Sequence, residues 1–233
     1  MRGLLIFLVV VGIALVVGDR VGVVAAQNEI GRKIAEEYGL AQQPSVTIGG
    51  FPFLTQAFDG KYEDIEVRAD EWSDQGMSVR DLRVKLTGVS APLGDLVQSR
   101  TSNIEAADAT ATALVPYETV KGYAPSGVES ISDSPEGLRV TGKFEVEGIP
   151  VPVPATVVVT VNPTVGGIEV VPVSVQSTMG GPTISLAWLR ESLTFTVPLQ
   201  KLPLGAQLTS IAPSADGLLV TAVAHNVRFS DLP

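Results

Sequence analysis

Side chains able to do bond-breaking chemistry are few in this 233-residue chain. There is one histidine, His225, and no cysteine. That composition excludes a thiolate nucleophile, a disulfide framework and a zinc centre built on several imidazoles. His225 sits in the strand-like run Ala222–Val223–Ala224–His225–Asn226–Val227, with no second histidine to share a metal or activate a nucleophile. It reads as an ordinary strand residue. The sequence has no nucleophile elbow, phosphate-binding loop, dinucleotide fingerprint or His-Glu-x-x-His helix. Carboxylates are plentiful, so a Glu/Asp pair of the glycosidase kind stays open on counting alone. Yet Glu63, Asp64, Glu66, Asp70, Glu71 and Asp74 fall in turns or on the polar side of alternating runs, where they read as solvated charges. Net charge is -9, which argues against nucleic acid as a partner, because phosphate binding needs a basic surface. No metal or other cofactor is expected.

The distinctive chemistry is apolar. Gly49–Gly50–Phe51–Pro52–Phe53–Leu54–Thr55–Gln56 places two phenylalanines around a proline, just after a Val-x-Ile strand pattern. Leu54 and Phe58 lie at i, i+4 and predict a short helix behind the turn. Burying one such ring contributes about 1.5–3 kcal/mol. Left exposed, the cluster forms a patch of the kind found at binding rims.

The elements that must hold this cluster begin with a targeting segment. Arg2 precedes an uncharged apolar run, Gly3 to Gly18, and Asp19, Arg20 and a second apolar stretch follow. Residues 1–26 are expected to be a signal peptide cut near Val23–Ala26, or an uncleaved anchor with Asp19 and Arg20 at the outer interface; the long apolar run favours the anchor. Either way residues 27–233 form one exported domain, more acidic than the whole chain. A helix is expected from Asn28, its N-cap, to Leu40, with Ile30, Ile34 and Tyr38 on one face and Gly39 as its stop.

Beyond Pro44 the period changes to two. Alternating runs at Ile65–Val67, Leu82–Leu86, Ile104–Val115 (weakly, Ala- and Thr-rich) and Leu138–Val146 predict half-buried antiparallel strands. Turns are expected at Ser134–Gly137, Asn162–Pro163, Gly166–Gly167 and Ala215–Gly217, and short helices at Leu93–Val97, Tyr117–Gly122 and Ser185–Ser192. Val151–Val161, Ile168–Val175 and Leu218–Val223 are apolar on both faces, so both faces need a cover: protein, a second subunit or lipid. Pro150, Pro152, Pro154 and Pro172 lack ladder donors and should mark edges, bends or bulges. Ser134–Thr141 is echoed at Ser214–Thr221, which reads as two hairpins with the same turn chemistry. The fold class expected is α+β, mostly β: a curled antiparallel sheet packed with an N-terminal helix that is available to close an apolar groove.

Gly50–Phe51–Pro52–Phe53–Leu54–Thr55–Gln56 after its strand, Gly60-x-Tyr62, Leu202–Pro203–Leu204–Gly205 and Asp216–Gly217–Leu218 together resemble the LmeA-like family of actinobacterial envelope proteins. The likeness runs from about Asn28 onward. It implies a phospholipid-binding domain outside the cytoplasmic membrane, similar to tubular lipid-binding folds, associated with envelope lipid and lipoglycan maintenance. It carries no catalytic residues. On this reading the chain is not an enzyme and its partners are phospholipid and the outer face of the cytoplasmic membrane. Acyl chains supply most of the affinity, at ~0.8 kcal/mol per buried CH₂.

The candidate lipid-binding residues are Phe51, Phe53, Leu54 and Phe58, at a groove entrance or membrane-facing lip, with Trp72, Trp188 and Phe195 as further aromatic anchors. Candidate headgroup residues are Lys61, the pair Arg83 and Lys85 on one strand face, and the pair Arg139 and Lys143 on another. Two other readings remain: an envelope scaffold that buries its apolar face against a protein, and a carboxylate-dependent glycan hydrolase.

Overall fold

The structure is a computed structural model that describes residues 2–74, 77–92, 95, 103–145, 152–164, 167–177, 194–198 and 203–231. It opens on one long helix, α1 (Arg2–Glu37). At 1.5 Å per residue its 36 residues extend about 54 Å. The expected helix start at Asn28 is thus corrected. Asn28 is a local cap signal that packing overrides, because the face carrying Val23, Ala26, Ile30 and Ile34 is continuous across it and buries against the domain. Asn28 instead offers its backbone carbonyl to the Gln43 side chain at 3.1 Å. The predicted stop holds: Gly39 has φ +60, and the Leu40 N–H donates to the Ala35 carbonyl at 2.9 Å.

After α1 come β1 (Ser45–Ile48), α2 (Phe53–Asp59), β2 (Lys61–Asp74), β3 (Met77–Ser90), β4 (Glu105–Pro116), α3 (Tyr117–Gly122), β5 (Val128–Ser134), β6 (Gly137–Phe144), β7 (Val153–Thr164), β8 (Gly167–Ser177), β9 (Phe195–Pro198), β10 (Gln207–Ser214) and β11 (Gly217–Arg228). The chain is mostly β, as expected, but its strands form two antiparallel sheets: β1-β2-β3-β4-β11-β10 and β5-β6-β7-β8-β9. The echoed segments are both hairpins, with Ser134 opposite Gly137 and Ser214 opposite Gly217. Asn162–Pro163 is not a turn; it lies inside β7, paired with Glu169 and Ile168. Pro172 does mark a bulge, where the β7–β8 register shifts between Val158 and Val159. The short helix expected at Ser185–Ser192 lies outside the described residues, as does all but Asp95 of that at Leu93–Val97.

Two cores result. The first lies between the buried face of α1 and the first sheet, and contains Val23, Val46, Ile48, Phe53, Tyr62, Leu86, Val89, Ala109, Ala224 and Val227. The second joins Leu138, Val157 and Val159 of the second sheet to Leu218 of β11. Tyr117 closes its margin, its hydroxyl donating to the Ser214 carbonyl at 2.7 Å.

The first sheet bends along one row. Glu63, Gly88, Ala107 and Asn226 lie opposite one another on β2, β3, β4 and β11, and all four drop out of the ladder and face solvent. Gly88 and Asn226 take left-handed φ of 59 and 52. On every strand the inward parity switches at this row. Tyr62, Val89, Ala106 and Val227 on one side, and Ile65, Leu86, Ala109 and Ala224 on the other, enter the same core. A dislocation thus crosses four strands, and no proline takes part in it.

Candidate lipid-contact site

The Phe-Pro-Phe segment sits at the foot of the domain, beside α1. Gly50 has φ +83, a conformation glycine adopts without strain, and a side chain there would strike Gln56. Gln56 ties the turn together: its Nε2 donates to the Gly49 carbonyl at 3.0 Å and its Oε1 accepts from the Glu63 N–H at 2.9 Å. Gly60, at φ +65, ends α2. The segment is therefore pre-shaped.

Within it, α2 divides its apolar side chains. Phe53 and Ala57 point into the first core. The Phe53 ring lies 6.4 Å from that of Tyr62, whose phenol burial pushes up in pKa. Phe51, Leu54 and Phe58 are 61%, 48% and 86% exposed. Phe53 is thus core, while the other three make a surface patch.

Asp19 of α1 fixes this patch in place. Its carboxylate is buried, and accepts the Leu54 N–H at 2.8 Å and Arg20 Nη2 at 2.6 Å. The Arg20 guanidinium lies over the Phe51 ring, 5.0 Å from its centroid. At Gly22 an added Cβ would stand 3.6 Å from Leu54 and Phe53. Sequence reasoning missed Asp19 and Gly22 as site residues. Their only signal is a charge and a glycine inside an apolar helix.

The remaining candidates are scattered. Trp72 packs against Tyr38, ring centroids 4.6 Å apart and planes tilted by 51°, at the far end of α1. Tyr38 is 19 positions on from Asp19, a rise of about 28 Å along the helix from the end that holds the Phe-Pro-Phe turn. Trp188 lies outside the described residues. Phe195, on β9, pairs with Val170 of β8, and its side chain lies outside the described residues. Lys61 follows α2 at the foot. Arg83 and Lys85 stand on the outer face of the first sheet with Arg68, around Glu66; Arg68 and Arg83 lie 2.8 and 3.2 Å from its carboxylate. The Arg68 hydrogen bond holds the Glu66 carboxyl below its ordinary pKa. Arg139 is exposed on β6, and Lys143 pairs with Glu129 at 3.3 Å. These cations share no site.

His225 is exposed and its Nδ1 lies 2.6 Å from Asp108 Oδ1. It borders an open cleft of about 290 Å³ lined also by Gly205, Gln207, Thr209, Val223 and Ala224. That lining is mixed in polarity, so the cleft is not the continuous apolar groove expected, and such a groove is not shown by the described residues. No cluster among the described residues is fit to hold a metal ion.

The inner face of the first sheet carries a second, less obvious feature. One cross-strand row reads Val46, Val67, Val84, Ala111, Ala222, and the next Ile48, Ile65, Leu86, Ala109, Ala224. Side chains shrink with distance from α1. That helix is about 10–12 Å across, whereas the strands are spaced at about 4.8 Å, and it packs on β1 and α2. Ile65, Val67, Val84, Ala111 and Ala222 are only half-buried. The signal was present in the alanines at Ala106, Ala109, Ala111 and Ala113, inward positions of β4.

A family model described as LmeA-like phospholipid-binding matches residues 17–223. The chain belongs to this family. The matched region begins within α1, at the turn that carries Asp19. No curated protein and no solved structure matches the chain.

Proposed function

We propose that this protein is an exported, non-catalytic phospholipid-binding protein of the cell envelope, tethered by an uncleaved α1 to the outer face of the cytoplasmic membrane. The observation that carries the proposal is the double use of α1. By length and composition α1 can cross a membrane, and Ile6, Phe7, Val10 and Ile13 of its first half are exposed. Its second half is part of the domain core through Val23, Ile30 and Ile34. Cleavage near Val23–Ala26 would cut through that core and remove Asp19 from the foot, which supports retention of the segment. Acyl chains lie along the half-covered inner face of the first sheet, where the rows taper from Val and Ile to Ala. The binding is driven by burial of CH₂ groups and needs no charged partner deep in the site. The acidic domain does not draw anionic surfaces over long range; the tether supplies proximity instead.

Native mass spectrometry of the full chain released from detergent tests this reading. A stoichiometric co-purifying phospholipid is expected. A lipid-free chain whose melting is unchanged by added phospholipid sinks it, and a scaffold role then becomes the better account.

A further inference from the structure

We propose that Phe51, Leu54 and Phe58 form a bilayer-inserted foot, a second membrane contact that works with α1 to hold the domain at one fixed tilt. The inference rests on α1 being a retained membrane span and goes beyond it by naming what covers the exposed patch. The occupant is the outer-leaflet interface of the bilayer that α1 crosses.

Length decides the matter first. A helix needs about 20 apolar residues to cross the roughly 30 Å hydrocarbon core. The uncharged run between Arg2 and Asp19 has only 16 residues. At 1.5 Å per residue it falls about 6 Å short. A full span from Gly3 would end near Gly22, the residue that packs against Phe53 and Leu54. The membrane boundary therefore falls at the level of α2. A short span is met by local thinning of the bilayer or by flanking groups that fill the deficit.

The flanking groups have the required character. Asp19, which would be costly in lipid, is sequestered: it is 2% exposed and satisfied by the Leu54 N–H and Arg20. Arg20 lies on the Phe51 ring, its charge at the depth where lipid phosphates lie, and Lys61 follows α2. The apolar surface of α1 continues past Asp19 through the exposed Val21 and Val24. The patch of Phe51, Leu54 and Phe58 adjoins α1 where Leu54 meets Gly22, and so stands beside the span. The Gln56 hydrogen bonds hold the rings out before any membrane is met, so little ordering is required on insertion.

The chain contains no cysteine, so single-cysteine variants each carry one environment-sensitive fluorophore. Val11→Cys, Leu54→Cys, Phe58→Cys and Tyr123→Cys are made in the full chain and reconstituted into phosphatidylcholine/phosphatidylglycerol vesicles. Parallel vesicle sets contain lipid with a nitroxide either just below the headgroup, to read the Leu54, Phe58 and Tyr123 labels, or near the acyl-chain end, to read the Val11 label. Val11 reports the span, and Tyr123, exposed after α3, reports the aqueous side. Quenching of the Leu54 and Phe58 labels several-fold greater than that of the Tyr123 label is expected, along with quenching at Val11. Leu54 and Phe58 labels that behave like Tyr123 while Val11 is quenched overturn the foot and leave the anchor standing. An unquenched Val11 label overturns the anchor, and the foot with it.

Discussion

The two cores of this molecule are built differently. The second is dense: Leu138, Val157 and Val159 are nearly sealed, and Leu218 of the other sheet plugs into them. The first is held by one helix laid over one margin of a six-stranded sheet. Away from that helix its rows dwindle to alanine, and Ala111 and Ala222 of one row stay half-buried. A close-packed core holds a fold together, and an under-filled one leaves a surface for something else. On the function proposed above, the dense region serves stability and the under-filled one ligand contact.

Val157→Asp should break the dense core outright, because an unpaired carboxylate would replace a side chain that is 1% exposed. The cost should be on the order of 4 kcal/mol or more. Loss of a cooperative melt by circular dichroism is expected; a folded variant with near-normal stability would refute the sealed core. The next largest effect separates two phenylalanines on α2. Phe53→Ala should cost about 3–5 kcal/mol, whereas Phe58→Ala, at an 86% exposed ring, should stay within about 0.5 kcal/mol. Denaturant titration of both in detergent checks the contrast, and equal losses would erase it.

Ala111→Leu sharpens the comparison further. In a filled core the added carbons would cost about 1–3 kcal/mol. Here the expectation is little change in melting temperature and a fall in co-purifying lipid, read by native mass spectrometry. A marked destabilisation with lipid content intact would mean that the alanine rows are ordinary core. The smallest effect is on the wet face. Glu66 has its pKa lowered by the Arg68 hydrogen bond, so its stabilising contribution is complete above its ordinary value of 4.5 and lost as pH falls through the lowered one. The melting-temperature gap between wild type and Glu66→Gln should therefore be steady near neutral pH and close only below about that value. A gap unchanged at pH 3 would rule this out.

Period-two alternation and turn residues made most strands, both Ser-x-x-Gly hairpins and α3 legible from the sequence. The Gly39 stop was legible for the same reason: local backbone chemistry decides it. Three features were not. Asn28 looked like a cap because capping is local, while the continuity of α1 is decided by Val23, Ile30 and Ile34 meeting strands far along the chain. The four-strand row at Glu63 and Gly88 is invisible on any single strand, since it exists only as an alignment between them. At the candidate site, the i, i+4 spacing of Leu54 and Phe58 was readable, but Phe53 was grouped with them. Which side of α2 is wet depends on Tyr62 and Gly22, which no spacing announces. Trp72 was grouped by residue type alone and proved to stand at the opposite end.

The row that runs through Glu63, Gly88, Ala107 and Asn226 carries an implication for how the chain tolerates length changes. Because inward and outward positions trade places there on all four strands at once, deleting Gly88 alone would turn Val89 and Ala91 toward water while their neighbours Tyr62 and Ala106 stayed inside. Insertions and deletions at this latitude of the sheet are therefore admissible only as a matched set, which makes four distant stretches of sequence behave as one unit of inheritance.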